Sequence, residues 1–104
     1  MDNPKINDML KNVREKIDEA LKEPKYLNSD VDNDAYFYDS TSGTVLKGSF
    51  RNVWKKLAQK AIIDLVVYQR EYSQPRMPIR IKEAFDKESI ELLYGPIVEV
   101  KNEG

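Results

Sequence analysis

Residues 49–72 read SFRNVWKKLAQKAIIDLVVYQREY, and this stretch decides the fold. Apolar side chains recur in it at every third or fourth position, which predicts one long amphipathic helix. Ser49 is a favourable N-cap for that helix. The stripe consists of Phe50, Trp54, Leu57, Ala58, Ala61, Leu65, Tyr68 and Tyr72. The opposite side is basic in the first half and apolar in the second. We therefore expect a central helix buried on one side at its start and on nearly all sides near its end.

Another helix is predicted for residues 4–22, where Pro4 occupies the first helical position and loses no hydrogen bond there. Its apolar stripe is Ile6, Leu10, Val13, Ile17 and Leu21. Pro24 is expected to end this helix. The stripe spans only about three heptads, which favours docking on the protein's own core over a coiled-coil seam.

The segments around the two helices favour β-structure and a further short helix. Residues 35–47 predict a β-hairpin, because strand-forming residues flank a Ser-Thr-Ser-Gly turn, and Gly48 marks a break. Residues 77–82 alternate like a strand, although Pro78 could instead open a helix. Asp86 can cap a helix over about 86–94, and residues 97–100 form a short strand that could join the hairpin.

These elements predict a helix-rich α+β fold in one domain of residues 1–104, with 101–104 as a frayed tail. Helices at about 4–22, 49–72 and 86–94 surround the hairpin of 35–47, and the short C-terminal strand of 97–100 completes the fold.

The composition restricts the chemistry. The 104 residues contain no Cys and no His. This excludes disulfides, thiolate nucleophiles and a histidine base, and it removes the commonest metal ligand. The longest nearly apolar run, residues 61–68, is far shorter than the ~20 residues of a membrane span. The N-terminus is unlike a secretion signal. We expect a cytoplasmic protein that is not an enzyme, has no catalytic residues and carries no cofactor.

The acidic loop Asp30-x-Asp32-x-Asp34 resembles the start of an EF-hand. That motif needs Gly at its sixth position and Glu at its twelfth, where this chain has Ala35 and Thr41. We expect a solvated acidic loop and no metal site.

Charge is segregated along the chain. Residues 47–82 carry nine Lys/Arg and two Asp/Glu, giving +7, whereas residues 1–46 and 83–104 each carry −4. The basic segment is either neutralised internally or offered to a partner. The second reading makes the chain a nucleic-acid-binding module. Its candidate binding residues are Arg51, Lys55, Lys56, Lys60, Arg76 and Arg80.

The interpretation that we favour is a small interaction protein, meaning a regulator, inhibitor or assembly factor that binds another macromolecule. A protein is the expected partner. Ile63 and Val67 lie on the otherwise polar side of the central helix and are the candidate protein-binding residues, provided that the C-terminal segment leaves them uncovered.

A weaker alternative comes from two segments that together cover less than half of the chain. Residues 68–72 read YQREY at the end of an apolar helix, and after a Pro-bearing loop residues 90–96 read IELLYGP. This arrangement resembles that of small phage head–tail connector proteins, and the resemblance implies a structural assembly role.

Overall fold

The computed structural model describes residues 4–27, 30–67, 77–82 and 85–101, with the side chains of residues 4, 5 and 65–67 outside that description. The helices are α1 (Pro4–Ala20), α2 (Pro24–Leu27), α3 (Phe50–Val67) and α4 (Lys87–Leu93). The strands are β1 (Asp34–Asp39), β2 (Thr44–Ser49), β3 (Ile79–Arg80) and β4 (Ile97–Glu99). This mixed architecture confirms the helix-rich α+β prediction.

The strands form one sheet in the order β3-β1-β2-β4. β1 and β2 are the antiparallel hairpin that the sequence predicts, and β3 pairs antiparallel with β1. β4 joins the other side of the hairpin and runs parallel to β2. Residues 79–80 are therefore strand, and no helix begins at Pro78.

The prediction that the second strand ends before Gly48 was wrong, because β2 continues through Gly48 to Ser49. A Cβ at position 48 would lie 3.0 Å from the carbonyl oxygen of Val100 and 3.1 Å from its Cβ. The glycine thus lets the chain beyond β4 approach β2 closely, which is a packing role that a local pattern does not reveal.

α3 lies between α1 and the sheet, so it is buried on two sides. On one side Trp54, Ala58 and Ile62 pack with α1. On the other side Val53 packs with Phe37 and Leu46 of the hairpin. The single apolar stripe predicted for this helix omitted Val53 and Ile62, which are both fully buried.

The predicted burial of α3 on nearly all sides near its end does not hold at residues 63 and 64, and the side chains of residues 65–72 lie outside the description. Ile63 is 45% exposed, and the next residue, Asp64, is exposed as well. Residues 68–72, which the sequence assigns to the same helix, lie outside the described residues.

Local signals place the helix ends well. The Asn52 amide donates to Ser49 Oγ at 3.1 Å, as expected of an N-cap. The Ser89 amide donates to Asp86 Oδ1 at 2.7 Å and caps α4 in the same way. The hydrogen bonds from Ser89 lower the pKa of Asp86. α1 ends at Ala20, slightly before the predicted residue 22.

Pro24 has a second role that the sequence analysis missed. It begins the short helix α2 at the position where its missing N–H is tolerated. This turn brings the Tyr26 ring to 5.9 Å from the Phe50 ring. The segment expected to be a polar connection thus contributes an aromatic side chain to the edge of the core.

No helix within the described parts of the chain is long and apolar enough to cross a membrane.

Candidate functional site

Arg51, a candidate nucleic-acid contact, lies at the start of α3 between two carboxylates. Its Nη1 is 2.7 Å from Asp18 Oδ1 of α1, and its Nε is 2.9 Å from Asp32 Oδ1 of the acidic loop. Its backbone amide also donates to the carbonyl oxygen of Val31 at 3.2 Å. The hydrogen bond to Asp32 outweighs the effect of burial and, with that to Asp18, raises the pKa of Arg51. Arg51 thus ties the acidic loop and α1 to α3.

Lys55 joins the same cluster, with its Nζ 3.0 Å from Asp18 Oδ1. Burial acts to raise the pKa of Asp18, but the hydrogen bonds and positive charges of Lys55 and Arg51 outweigh it and lower that pKa. Asp18 must therefore be ionised for the cluster to stabilise the fold.

This cluster predicts a specific acid sensitivity. Because the folded-state pKa of Asp18 lies below its ordinary value of 3.8, its contribution is complete above that pH. The contribution is lost as the pH falls through the folded-state pKa. Asp18→Asn should lower stability at pH 7 by less than about 1 kcal/mol, since the site is partly solvated.

Urea unfolding at several pH values between 2 and 7 measures this effect. The stability difference between wild type and Asp18→Asn should shrink towards zero at the acid end. Asp8→Asn is the control, because Asp8 is an exposed carboxylate on the same helix with no ion pair in the described structure. A difference that is the same at all pH values would contradict the assigned role of Asp18.

Lys60 lies farther along α3, with its Nζ 3.6 Å from Asp39 Oδ2. Asp39 is buried at the end of β1, where its carboxylate accepts hydrogen bonds from the Thr41 amide at 3.1 Å and the Ser42 hydroxyl at 2.7 Å. This carboxylate organises the hairpin turn. For Arg51, Lys55 and Lys60, the structure shows internal neutralisation.

The remaining basic candidates are dispersed. Lys56 is exposed and lines a shallow concavity with Arg14 of α1 and Lys101 beyond β4. Arg80 lies on β3, which pairs with β1 at one edge of the sheet, whereas Lys101 follows β4 at the other edge. Arg76 lies outside the described residues. Among the described members of the predicted basic set, Lys55 and Lys56 thus line one concavity, and Arg80 lies on the edge strand β3.

Of the two candidate protein-binding residues, the structure describes one side chain. Ile63 is 45% exposed on α3. Val67 is the last residue of that helix, and its side chain lies outside the description.

Sequence reasoning missed an apolar surface on the face of the sheet that points away from α3. Phe37 faces α3, so strand alternation places Tyr38 on this outer face. Ile79 is opposite Tyr38 in the register of β1 and β3, and the Tyr94 ring is 5.5 Å from the Tyr38 ring. Leu92 and Leu93 of α4 precede Tyr94 and are exposed; we refer to these five residues as the outer-face strip.

The outer-face strip is unusually uncovered for such large apolar side chains. Leu92 is 87% exposed, Leu93 62% and Ile79 64%. The signal that could have located it is the pair of leucines in IELLYGP, because only one side of so short a helix can face the core.

A groove lies at the opposite end of β1, between α2, the acidic loop and β3. Its cavity volume is about 430 Å³. Tyr26, Phe37 and Phe50 form its aromatic part, with the Phe37 and Phe50 rings 5.8 Å apart. Met77 lies at its edge, where its Sδ is 3.5 Å from the Tyr26 hydroxyl. The polar lining comprises Asp30, Asn33, Asp34 and Arg80.

The acidic loop contributes two of its three aspartates to this groove. Asp32 is engaged by Arg51, whereas Asp30 and Asp34 line the cavity. Within the described residues, no group of three or more acidic side chains is placed to hold a metal ion.

Comparison of the chain with known protein families, with curated proteins and with solved structures gave no match.

Proposed function

We propose that this chain is a non-enzymatic interaction protein that acts by binding another protein. The observation that carries this proposal is the outer-face strip, in which Leu92, Leu93 and Ile79 are each more than half exposed and the Tyr38 and Tyr94 rings are in contact. Large apolar side chains that a small domain leaves exposed in such numbers favour a protein-binding surface.

The strip also consists of residue types that can contribute much of the binding free energy at an interface. Burying one leucine side chain contributes about 1.5–3 kcal/mol, and tyrosines are over-represented among the residues that dominate protein interfaces. The Tyr38 ring already contacts the Tyr94 ring, which reduces the side-chain freedom that binding would remove. Ile63 on α3, with Val67 beyond it, is the alternative anchor that the sequence pattern favours.

The test compares three proteins as baits in a pull-down from the source cell, with nuclease added. They are the wild type, a Leu92→Asp/Leu93→Asp variant and an Ile63→Asp variant. We expect the wild type to retain a specific protein after nuclease treatment and the double variant to lose it. Loss in the Ile63→Asp variant instead would move the binding site to α3.

Thermal unfolding of the same baits is the control, because exposed side chains contribute little to stability. Melting temperatures should stay close to that of the wild type. Retention of no specific protein by the wild type would contradict the proposal.

Nucleic-acid binding is the second candidate, and the shallow concavity supports it. Arg14, Lys56 and Lys101 converge there from two helices and the C-terminal segment. A suitable variant is Lys56→Glu/Lys101→Glu, because both residues are exposed. Lys55 and Lys60 are left unchanged, since their replacement would break ion pairs with Asp18 and Asp39.

If phosphates bind at this concavity, affinity for duplex DNA should fall with salt by a slope of about −0.9 per neutralised phosphate in log K against log salt. Fluorescence anisotropy with labelled DNA and RNA at several salt concentrations measures this slope. Tight, salt-sensitive binding that the double variant loses would place nucleic acid ahead of a protein partner.

The resemblance to phage head–tail connectors stays a prediction. It would make the protein partner a neighbouring subunit of an assembly, and the pull-down would then recover a structural protein.

A further inference from the structure

We propose that the groove between α2, the acidic loop and β3 binds an arginine side chain of a protein partner, held by Asp30 and Asp34. This inference rests on the proposed function in one respect, namely that the ligand belongs to a protein. The groove and the outer-face strip are separate surfaces, because Phe37 and Tyr38 point to opposite faces of β1.

The groove is large enough to admit a side chain and has both aromatic and polar lining. Its volume of about 430 Å³ lies within the range of roughly 300–1,000 Å³ that is usual for ligand sites. The Phe50 ring packs against two other rings. Its centroid is 5.9 Å from that of the Tyr26 ring and 5.8 Å from that of the Phe37 ring. Tyr26 and Phe50 are half-buried and offer aromatic surface to the groove, and the buried Phe37 supports the Phe50 ring.

The backbone that carries the two aspartates is held in place. The loop is fastened by the Arg51 amide on the Val31 carbonyl at 3.2 Å and by the Arg51 side chain on Asp32 at 2.9 Å. Asp34 is the first residue of β1. In the described part of the structure, neither Asp30 nor Asp34 takes part in an ion pair.

Arginine is the side chain whose chemistry matches this combination. Its guanidinium is planar, accepts stacking on aromatic rings and donates two parallel hydrogen bonds to a carboxylate. Its three methylenes can lie along apolar surface while the charged end reaches the acidic rim. An anion would be repelled by the two carboxylates, and an apolar group would desolvate them without a counter-charge.

Arg80 of β3 also lines the groove, and it allows a further test of the prediction. Its own positive charge opposes an incoming guanidinium, so the groove carries two negative charges against one positive charge. If binding depends on charge, the loss of Asp30 or Asp34 must weaken it and the loss of Arg80 must not.

The experiment titrates the isotope-labelled full chain with a five-residue peptide, acetyl-Gly-Leu-Arg-Leu-Gly-amide, and follows amide chemical shifts by NMR. The matched control peptide carries citrulline, a neutral isostere, in place of arginine. We expect saturable shifts centred on Val31, Asp34 and Phe50, and affinity for the citrulline peptide lower by roughly fivefold, as for the loss of an exposed ion pair.

Two variants test the assigned residues. Asp30→Asn/Asp34→Asn should reduce affinity for the arginine peptide by roughly fivefold to tenfold, and Arg80→Gln should leave affinity unchanged or raise it. Equal affinity for the two peptides, or shifts confined to other surfaces, would overturn the inference.

The outcome is separable from that of the pull-down. The peptide titration uses only purified protein, whereas the proposed function is tested by variants of the outer-face strip. Failure of peptide binding with a retained partner would reject the groove and leave the proposed function standing. Peptide binding without any retained partner would leave the groove proposal standing and reject the proposed function.

Discussion

Replacement of Trp54 by alanine is expected to destabilise the fold by about 3–5 kcal/mol, the usual cost of removing a large buried aromatic side chain. Trp54 is only 6% exposed and packs with α1. Its ring also contacts the Phe50 ring in an edge-on arrangement at 5.5 Å. A domain of ordinary stability has about 5–15 kcal/mol in total, so this change removes a large part of it.

Tryptophan fluorescence of the wild type tests the burial of Trp54, because this is the only Trp in the sequence. Native emission should be blue-shifted and should move to the red in one cooperative step on denaturation. Since Trp54→Ala removes the fluorophore and can prevent folding, Trp54→Phe is the second variant. It should fold and unfold at lower urea concentration, followed by circular dichroism.

Ile63→Ala is the matched control on the same helix, because Ile63 is 45% exposed. Its effect should stay within about 0.5 kcal/mol. A native emission spectrum like that of free tryptophan, or equal effects of Trp54→Phe and Ile63→Ala, would contradict the assigned packing of α3.

The features that the sequence could predict are those that depend on neighbours within a few residues. Apolar spacing located α1 and α3, the Ser49 and Asp86 side chains capped the helices as expected, and the turn at Gly43 closed the hairpin. Each of these signals acts through backbone hydrogen bonds or one stripe of side chains. Packing against distant segments therefore alters these helices, caps and turns very little.

Pairing between distant segments was beyond such reasoning. Arg51 and Asp18 lie 33 positions apart, and nothing local shows that they meet. Val53 is buried because the sheet covers a second side of α3, and a single helical stripe cannot show that two neighbours are present. The assignment of the basic residues to one binding surface was open for the same reason, since their acidic partners are on other elements.

The groove depends on tertiary structure in the same manner. Tyr26, Phe37 and Phe50 are spread over 25 positions, and only the fold brings their rings together. The acidic loop was recognised in the sequence, but its role could not be, because the apolar half of the site comes from elsewhere. The exposed leucines of α4 were within reach of pattern analysis, whereas their neighbour Ile79 was not.

Gly95→Ala should be the other severe substitution, for two physical reasons. Gly95 follows the C-cap of α4 with φ of 142°, a conformation that costs a residue with a Cβ about 1–3 kcal/mol. A Cβ built there would also lie 2.2 Å from the carbonyl oxygen of Gly43, so backbone must move. We expect a total loss of about 3 kcal/mol or more.

Gly43→Ala is the comparison variant, because it carries the energetic cost of positive φ without a steric clash. Gly43 also has positive φ, at 67°, but a Cβ there meets nothing within 4 Å. Its replacement should cost only about 1–2 kcal/mol, and Gly43→Asn less, since Asn tolerates this conformation. Urea midpoints of the three variants measure the difference. The added Cβ would push against the hairpin turn. Gly95→Ala should therefore also shift the amide resonances of Gly43 and Thr44. Equal stability losses for Gly95→Ala and Gly43→Ala would show that the two turns do not pack as closely as the structure has them.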